Sequence, residues 1–274
     1  MLKKIRKSKG FLFILPSLIG FSILYIIPFI LGLRYSVSRS GFDNTFVAFK
    51  NYNDVFKSNA FNLALKNTAL FMGIAIPLII IISFILALII YEINAPKFIK
   101  LFIILPMAIP SGTVAGFFRK VFGTGGFNLI NTEYAMIVVV LIFIWRNTGY
   151  NLIIYLAGLS QLRKEIIEAS MIDGANYFQR LWHIIIPLIT PTTVFVGIVT
   201  IINSFKVFKD IFILQGNYPN PKIYMLQHYM NNKFRDLQYE KLTSAAYVFA
   251  AVIFVFAFLL FYFDRKHARK VGES

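Results

Sequence analysis

The fold class predicted by this 274-residue chain is an all-α, polytopic membrane protein with six transmembrane helices. Three observations carry the prediction. Hydrophobic residues make up 58% of the chain and the mean hydropathy is +0.69, above the roughly 45–50% apolar usage of soluble domains. Six apolar runs each approach the ~20 residues that a helix needs to cross a hydrocarbon core. The formal net charge of +16 lies mostly in the segments between those runs and at the chain ends, where a membrane protein carries it. Basic residues scattered in this way, rather than gathered on one face, argue against a nucleic-acid partner. The chain has no cysteine, which excludes disulfides, thiolate catalysis and Cys-ligated zinc.

Lys3, Lys4, Arg6, Lys7 and Lys9 precede an uncharged run from Phe11 to Leu33. That run is longer than the roughly 7–15 residues of a signal-peptide core, and at about 1.5 Å per residue it is long enough to cross a hydrocarbon core of about 30 Å. It reads as an uncleaved first span whose basic prefix stays in the cytoplasm. Arg34 to Lys66, with Phe42, Phe46, Phe49, Tyr52 and Phe56, reads as an external loop containing short interfacial helices. The second span is Asn67 to Tyr91, interrupted at Pro77, and Glu92 to Lys100 suits a cytoplasmic hairpin. Pro106, Pro110, Gly112 and Gly116 make the third span, Leu101 to Phe118, kinked and closely packed.

Residues 119–133, with Gly123, Gly125 and Gly126, read as an external loop. No Gly-x-x-x-x-Gly-Lys-Ser/Thr string occurs in the chain, so if ATP is the fuel, another subunit binds it. The fourth span, Tyr134 to Leu159, carries Arg146 near its middle. An arginine there costs roughly 2.5–3.5 kcal/mol on insertion scales and must face protein or water. Asn147, Tyr150, Asn151 and Tyr155 extend it into one polar stripe. Two readings of the stripe stay open. Arg146, Asn147, Asn151 and Tyr155 either form an interior packing stripe, with Arg146 paired to a partner subunit, or wall a hydrated substrate path.

The sizeable polar segment that looks built for a partner follows, at 160–182. Glu165 to Met171 are good helix formers, Gly174 breaks the helix, and Asn176 with Gln179 forms a capping-box start for a second helix through Phe178, Leu181 and Trp182. This elbow presents a compact knob outside the bilayer. The fifth span is His183 to Phe205, its entry bent by Pro187 and Pro191. Lys206 to Lys241 reads as a long external loop, and Leu242 to Phe263 is the sixth span, followed by Arg265, Lys266, Arg269 and Lys270. Six spans place both basic termini in the cytoplasm. The chain thus divides into 1–61 (N-terminus, first span and external loop) and 62–274 (a five-helix core with the elbow).

No catalytic constellation emerges. His183, His228 and His267 have no metal-ligand spacing, and Glu133, Asp210, Asp236 and Glu240 read as solvated loop residues. No Gly-x-Ser-x-Gly occurs. The chain reads as non-catalytic.

Glu168-Ala169-Ser170, then Asp173-Gly174-Ala175 and Pro187, resemble the EAA motif of binding-protein-dependent ABC importer permeases. Trp145, Gly149-Tyr150-Asn151 and Leu156-Ala157-Gly158-Leu159, with the spacing to Phe205 and Phe208, resemble the carbohydrate branch, the maltose, lactose and glycerol-phosphate type. The likeness covers roughly residues 62–263. Ser170 stands for the motif's second Ala and Arg163 for a frequent Pro. Lys209 takes an Asp position, and Gln215-Gly216-Asn217-Tyr218-Pro219 replaces a glycine-proline run. The resemblance implies the type I importer permease fold, in a multi-pass protein of the cell membrane that translocates a sugar, oligosaccharide or related polyol by alternating access. It implies no cofactor on this chain. ATP and Mg would sit on two ABC ATPase subunits docked at Glu168, Ala169, Ser170, Asp173, Gly174 and Ala175. A second permease subunit and an extracytoplasmic solute-binding protein complete the implied assembly. The nearest rival is an amino-acid or peptide importer. A secondary transporter or a membrane enzyme is disfavoured, because no internal repeat, buried acidic relay or His/acidic cluster is evident.

Overall fold

The computed structural model describes residues 2–123 and 128–272. Gly125 and Gly126, read above as external loop, lie outside the described residues, as do the basic side chains at both chain ends. The described residues are helical apart from turns and one isolated bridge, Ser38 to Phe46. In order, α1 (Leu2–Phe21) passes through a π-turn at Ser22–Ile26 into α2 (Ile27–Ser36). Then come α3 (Lys50–Lys57), α4 (Asn59–Glu92), α5 (Lys97–Ala108), α6 (Ser111–Phe122) and α7 (Ala135–Leu159). The elbow is α8 (Lys164–Ile172) and α9 (Tyr177–Arg180). A π-turn at Leu181–Ile185 leads into α10 (Ile186–Ser204), followed by α11 (Val207–Gln215), α12 (Leu226–Arg235) and α13 (Tyr239–Gly272).

Among the described residues four helical segments are long and apolar enough to cross a membrane: Leu12–Ser36, Asn59–Glu92, Ala135–Leu159 and Tyr177–Gln215. A fifth is the bent pair α5 and α6. The sixth apolar run, Leu242 to Phe263, lies within α13.

Three expectations need correction. Pro77 does not interrupt the second span: α4 runs unbroken for 34 residues around it. In a membrane helix, neighbouring groups and small local adjustments absorb the one missing N–H. The third span is more than kinked. α5 and α6 meet at 91°, because the residue before a proline avoids the α region and Ile109, before Pro110, is extended at φ −74°, ψ 130°. Pro106, inside α5, is carried without a break. The predicted loop from Lys206 to Lys241 holds two helices, α11 and α12, joined by Gly216 in the left-handed region and a 3-10 turn at Pro221–Ile223. Helices of only nine and ten residues leave little trace in a stretch rich in turn formers.

Two compact units result. The first comprises residues 2–62 and 229–251. Its polar knot is Ser36: Asn51 Nδ2 donates to the carbonyls of Ser36 (3.0 Å) and Ser38 (2.7 Å), Tyr52 Oη donates to Ser36 Oγ (2.9 Å), and Ser244 Oγ donates to the Ser36 carbonyl (3.2 Å). The two bonds to the Ser36 carbonyl serve the end of α2, whose last carbonyls have no helical partner. Glu240, read as a solvated loop residue, is buried in the first turn of α13.

The second unit comprises residues 63–228 and 252–272. Phe71, Ile79, Val139, Phe143, Ile211 and Ile223 form one core. Leu88, Leu152, Tyr155, Leu159, Ile185 and Ile189 form another. Two glycines allow α7 its close crossings. A Cβ on Gly158 would stand 2.6 Å from Thr192 Oγ1 and 2.8 Å from Ile189 Cδ1 of α10, and one on Gly149 would stand 2.7 Å from Ile104 Cα of α5. Small residues at such points are how membrane helices pack without a hydrophobic driving force.

Candidate translocation cavity and coupling elbow

Arg146 sits mid-way along α7, and the second unit meets it from three sides. Its guanidinium donates to Asp210 Oδ1 of α11 at 2.5 Å, to Ser111 Oγ at the start of α6 at 2.7 Å, and to the Ile109 carbonyl at 3.5 Å. The 91° corner matters here. Breaking the span at Ile109–Pro110 frees a carbonyl and brings the first residue of α6 to the guanidinium. Asp210 is therefore not a solvated loop residue as its sequence setting implied; its side chain is only 8% exposed. Arg146 finds its countercharge within the chain rather than on a partner subunit. The missed signal was available: an arginine in an apolar span demands an acid, and Asp210 is the acid flanked by Phe208, Ile211 and Phe212.

The pair forms part of the wall of a cavity of about 570 Å³, within the ~300–1,000 Å³ of small-molecule sites. Asn147, Tyr150, Asn203, Gln227 and Ser111 line it with hydrogen-bonding groups, Phe143, Phe205 and Phe208 with aromatic rings, and Lys206 and Lys209 with cations. The predicted stripe is thus divided. Arg146 and Asn147 line the cavity. Asn151 and Tyr155 are buried against neighbouring helices instead: Asn151 Nδ2 donates to Thr200 Oγ1 of α10 at 2.9 Å, and Tyr155 packs edge-on to Phe84 of α4. The mismatch has a simple cause. Residues 146, 147 and 150 share one face of a 3.6-residue helix, while 151 and 155 turn toward the neighbouring helix.

The elbow forms at the far end of the unit's helices, as its residues dictate. Gly174 has φ +79°. Its N–H donates to the Met171 carbonyl (3.1 Å) and the Ala175 N–H to the Ser170 carbonyl (3.0 Å). Those two bonds are a Schellman stop, which ties off the last carbonyls of α8. Two residues on, Asn176 Oδ1 accepts from the Gln179 N–H (2.9 Å) and Gln179 Oε1 accepts from the Asn176 N–H (2.8 Å). This is a reciprocal capping box that starts α9. Stop and start lie back to back, so the corner is held by four hydrogen bonds between Ser170 and Gln179. Glu168, Ala169, Asp173 and Gly174 are exposed, Ala175 is half-buried, and Ser170 is buried with Oγ donating to the Ile167 carbonyl at 2.6 Å. Around them the apolar side chains of Ile172 (87% exposed) and Phe178 (69% exposed) stand largely open. A shallow cleft lined by Asp173, Gly174, Gln179 and His183 lies beside the corner.

Among the described residues no group of three or more His, Asp or Glu side chains gathers as metal ligands.

Comparison with known proteins agrees with this architecture. The arabinooligosaccharides transport system permease protein AraP of Bacillus subtilis (strain 168) is 32% identical over 78% of this chain and 74% of its own. The lactose transport system permease protein LacF of Rhizobium radiobacter is 25% identical over 97% of both chains. A solved bacterial alginate ABC transporter in complex with alginate pentasaccharide-bound periplasmic protein has a chain of the same fold, with TM-score 0.82 at 22% identity over 97% of each. The family described as "Binding-protein-dependent transport system inner membrane component" matches residues 95–272, a stretch that contains the cavity and the elbow alike. The chain belongs to that family of transport permeases.

Proposed function

We propose that this chain is the permease subunit of an ATP-driven ABC importer and that it translocates a carbohydrate by alternating access. The observation that carries the reading is the elbow: a corner fixed by four hydrogen bonds whose apolar residues, Ile172 and Phe178, stand exposed to a partner. An exposed apolar knob on a rigid corner is a docking surface rather than a flexible loop. Two ABC ATPase subunits, which carry ATP and Mg, are the partners it fits. A second permease subunit and an extracytoplasmic solute-binding protein complete the assembly in the cell membrane, with both termini of this chain in the cytoplasm.

The packing offers a mechanical route. Displacement of α8 by the ATPase passes through the corner into α9 and α10, which follow without a loop. α10 grips α7 at Gly158–Thr192 and Asn151–Thr200, and α7 carries Arg146 and Asn147 in the cavity wall. In this reading Arg146 and Asn147 line the path, while Asn151 and Tyr155 brace it. The cavity's combination of aromatic rings with amide and hydroxyl groups suits a polyol, since rings cover the C–H faces of a sugar and the polar groups meet its hydroxyls. The arabino-oligosaccharide and lactose transport relatives support the same class.

The test is ATP-driven uptake by the reconstituted transporter, with its binding protein, across a panel of sugars, amino acids and short peptides. Uptake of a sugar alone is expected. Uptake of amino acids or peptides alone would replace the carbohydrate reading with its rival, and ATP-independent uptake by this chain alone would remove the ABC reading.

A further inference from the structure

The ion pair leaves two charges of the cavity unused. Lys206 and Lys209 both line it with exposed side chains. Lys206 is the N-cap of α11 and Lys209 lies in its first turn, its N–H bonded to the Lys206 carbonyl at 3.1 Å. A helix N-terminus carries partial positive charge and favours acids there, so two lysines at this end add to a field of their own sign. The one carboxylate in the lining, Asp210, is committed to Arg146, although Lys209 lies within its electrostatic reach. Among the described residues neither lysine makes an ion pair, and the Lys206 ammonium donates to the neutral Asn203 Oδ1 at 2.8 Å. Three cations against one carboxylate leave the lining with two excess positive charges. A concave, partly apolar wall focuses such a field and raises the local concentration of anions.

We propose that the transported solute is an anionic carbohydrate, whose carboxylate or phosphate is held by Lys206 and Lys209 while its ring lies against Phe208 and Tyr150. Lysine serves such a role as a point charge that tolerates several oxyanion geometries. The inference rests on the permease reading above and narrows its substrate class. Carboxylate and phosphate share the chemistry of a fixed oxyanion on a polyol, so both enter the test.

The experiment uses the whole transporter in proteoliposomes, with trigalacturonate, glucose 6-phosphate and neutral maltotriose as probes. In the first arm, acetic anhydride labels lysines in the absence of ATP, and mass spectrometry reads the protection of Lys206 and Lys209. Protection by trigalacturonate or by glucose 6-phosphate, at least tenfold stronger than by maltotriose, is expected. The probe that protects names the oxyanion. In the second arm, the Lys206→Gln/Lys209→Gln double variant should lose tenfold or more of the ATP-driven uptake of that anion, and Lys206→Arg/Lys209→Arg should retain it. Co-purification of the ATPase reports assembly in both variants. No protection by either anion, or equal protection by maltotriose, overturns the proposal, as does undiminished anion uptake by the glutamine variant. Failure of the permease reading has a different signature, because the labelling arm needs no transport. Anion protection with no ATP-driven uptake of any solute would sink the permease function while leaving the anion site standing.

Discussion

Arg146 and Asp210, 64 residues apart in the chain, are joined by a 2.5 Å contact between Nη1 and Oδ1. Both side chains are largely buried, at 20% and 8% exposure. Removing one partner of a buried pair strands the other charge, at a cost of about 3–5 kcal/mol. Arg146→Met and Asp210→Leu should therefore each lower thermal stability in detergent strongly, while the double variant recovers much of the loss. If the double variant is as unstable as the sum of the single ones, the pair is not coupled.

Gly174 tests the elbow. Its φ of +79° strains any other residue, yet a Cβ there meets nothing within 4 Å, so the effect of substitution is backbone strain alone. Gly174→Val should cost about 1–3 kcal/mol locally and re-aim Ile172 and Phe178, giving a protein that inserts normally but no longer retains its ATPase or transports. Gly174→Asn, which tolerates the left-handed region, should be nearly normal. Glu168→Lys should weaken ATPase retention by reversing one exposed charge. Co-purification and uptake measured on the same membranes decide, and normal coupling in Gly174→Val ends the idea.

Gly149 offers a packing test of opposite character, because here the conformation is ordinary and the space is not. A side chain would press on the α5 backbone at Ile103 and Ile104. Overpacking of this kind costs about 1–3 kcal/mol. Gly149→Ala should lower the melting temperature and Gly149→Val should lower it further. A tolerated valine would mean that α5 and α7 do not cross this closely.

His228 is fully buried, facing Phe208 and Tyr224, with Nδ1 accepting from the Met225 N–H at 3.2 Å. Burial pushes its pKa down from 6.5 to about 4. The unfolded chain then binds the proton more readily than the folded one between those values. The stability contribution is complete above about pH 6.5 and is lost as pH falls toward 4, by about 2 kcal/mol at pH 5. Melting curves in detergent at pH 7.5 and pH 5 should show that loss. His228→Gln, which keeps an acceptor but cannot titrate, should flatten it; an unchanged pH slope in the variant would assign the effect elsewhere.

Topology is checked by reporter fusions. Fusions after Gly10 and after Val271 should report the cytoplasm, and fusions near Asn53 and Asn220 the outside. Termini on opposite sides would overturn the six-span arrangement.

The periodicity and composition of the chain were sufficient for its long apolar helices and for the backbone of the elbow. Apolar runs specify membrane helices because the bilayer leaves the backbone no other way to satisfy its hydrogen bonds. The elbow was legible for a similar reason: Gly174, Asn176 and Gln179 act within one or two turns, so their consequences are local. What only the tertiary structure decided is nonlocal. The acid that neutralises Arg146 lies in a segment whose turn-forming composition concealed the helix α11. Pro110 gave notice of a bend, but the 91° angle and the placement of Ser111 against the guanidinium depend on packing against α7 and α11. The polar stripe of α7 likewise read as one face, and it was the crossing of α10 at Gly158 and Thr200 that assigned Asn151 and Tyr155 to the interior and left Arg146 and Asn147 to the cavity. Short-range backbone preferences can be read along a chain, whereas the pairing of charges and the division of a helix's faces are settled by the neighbours that fold against it.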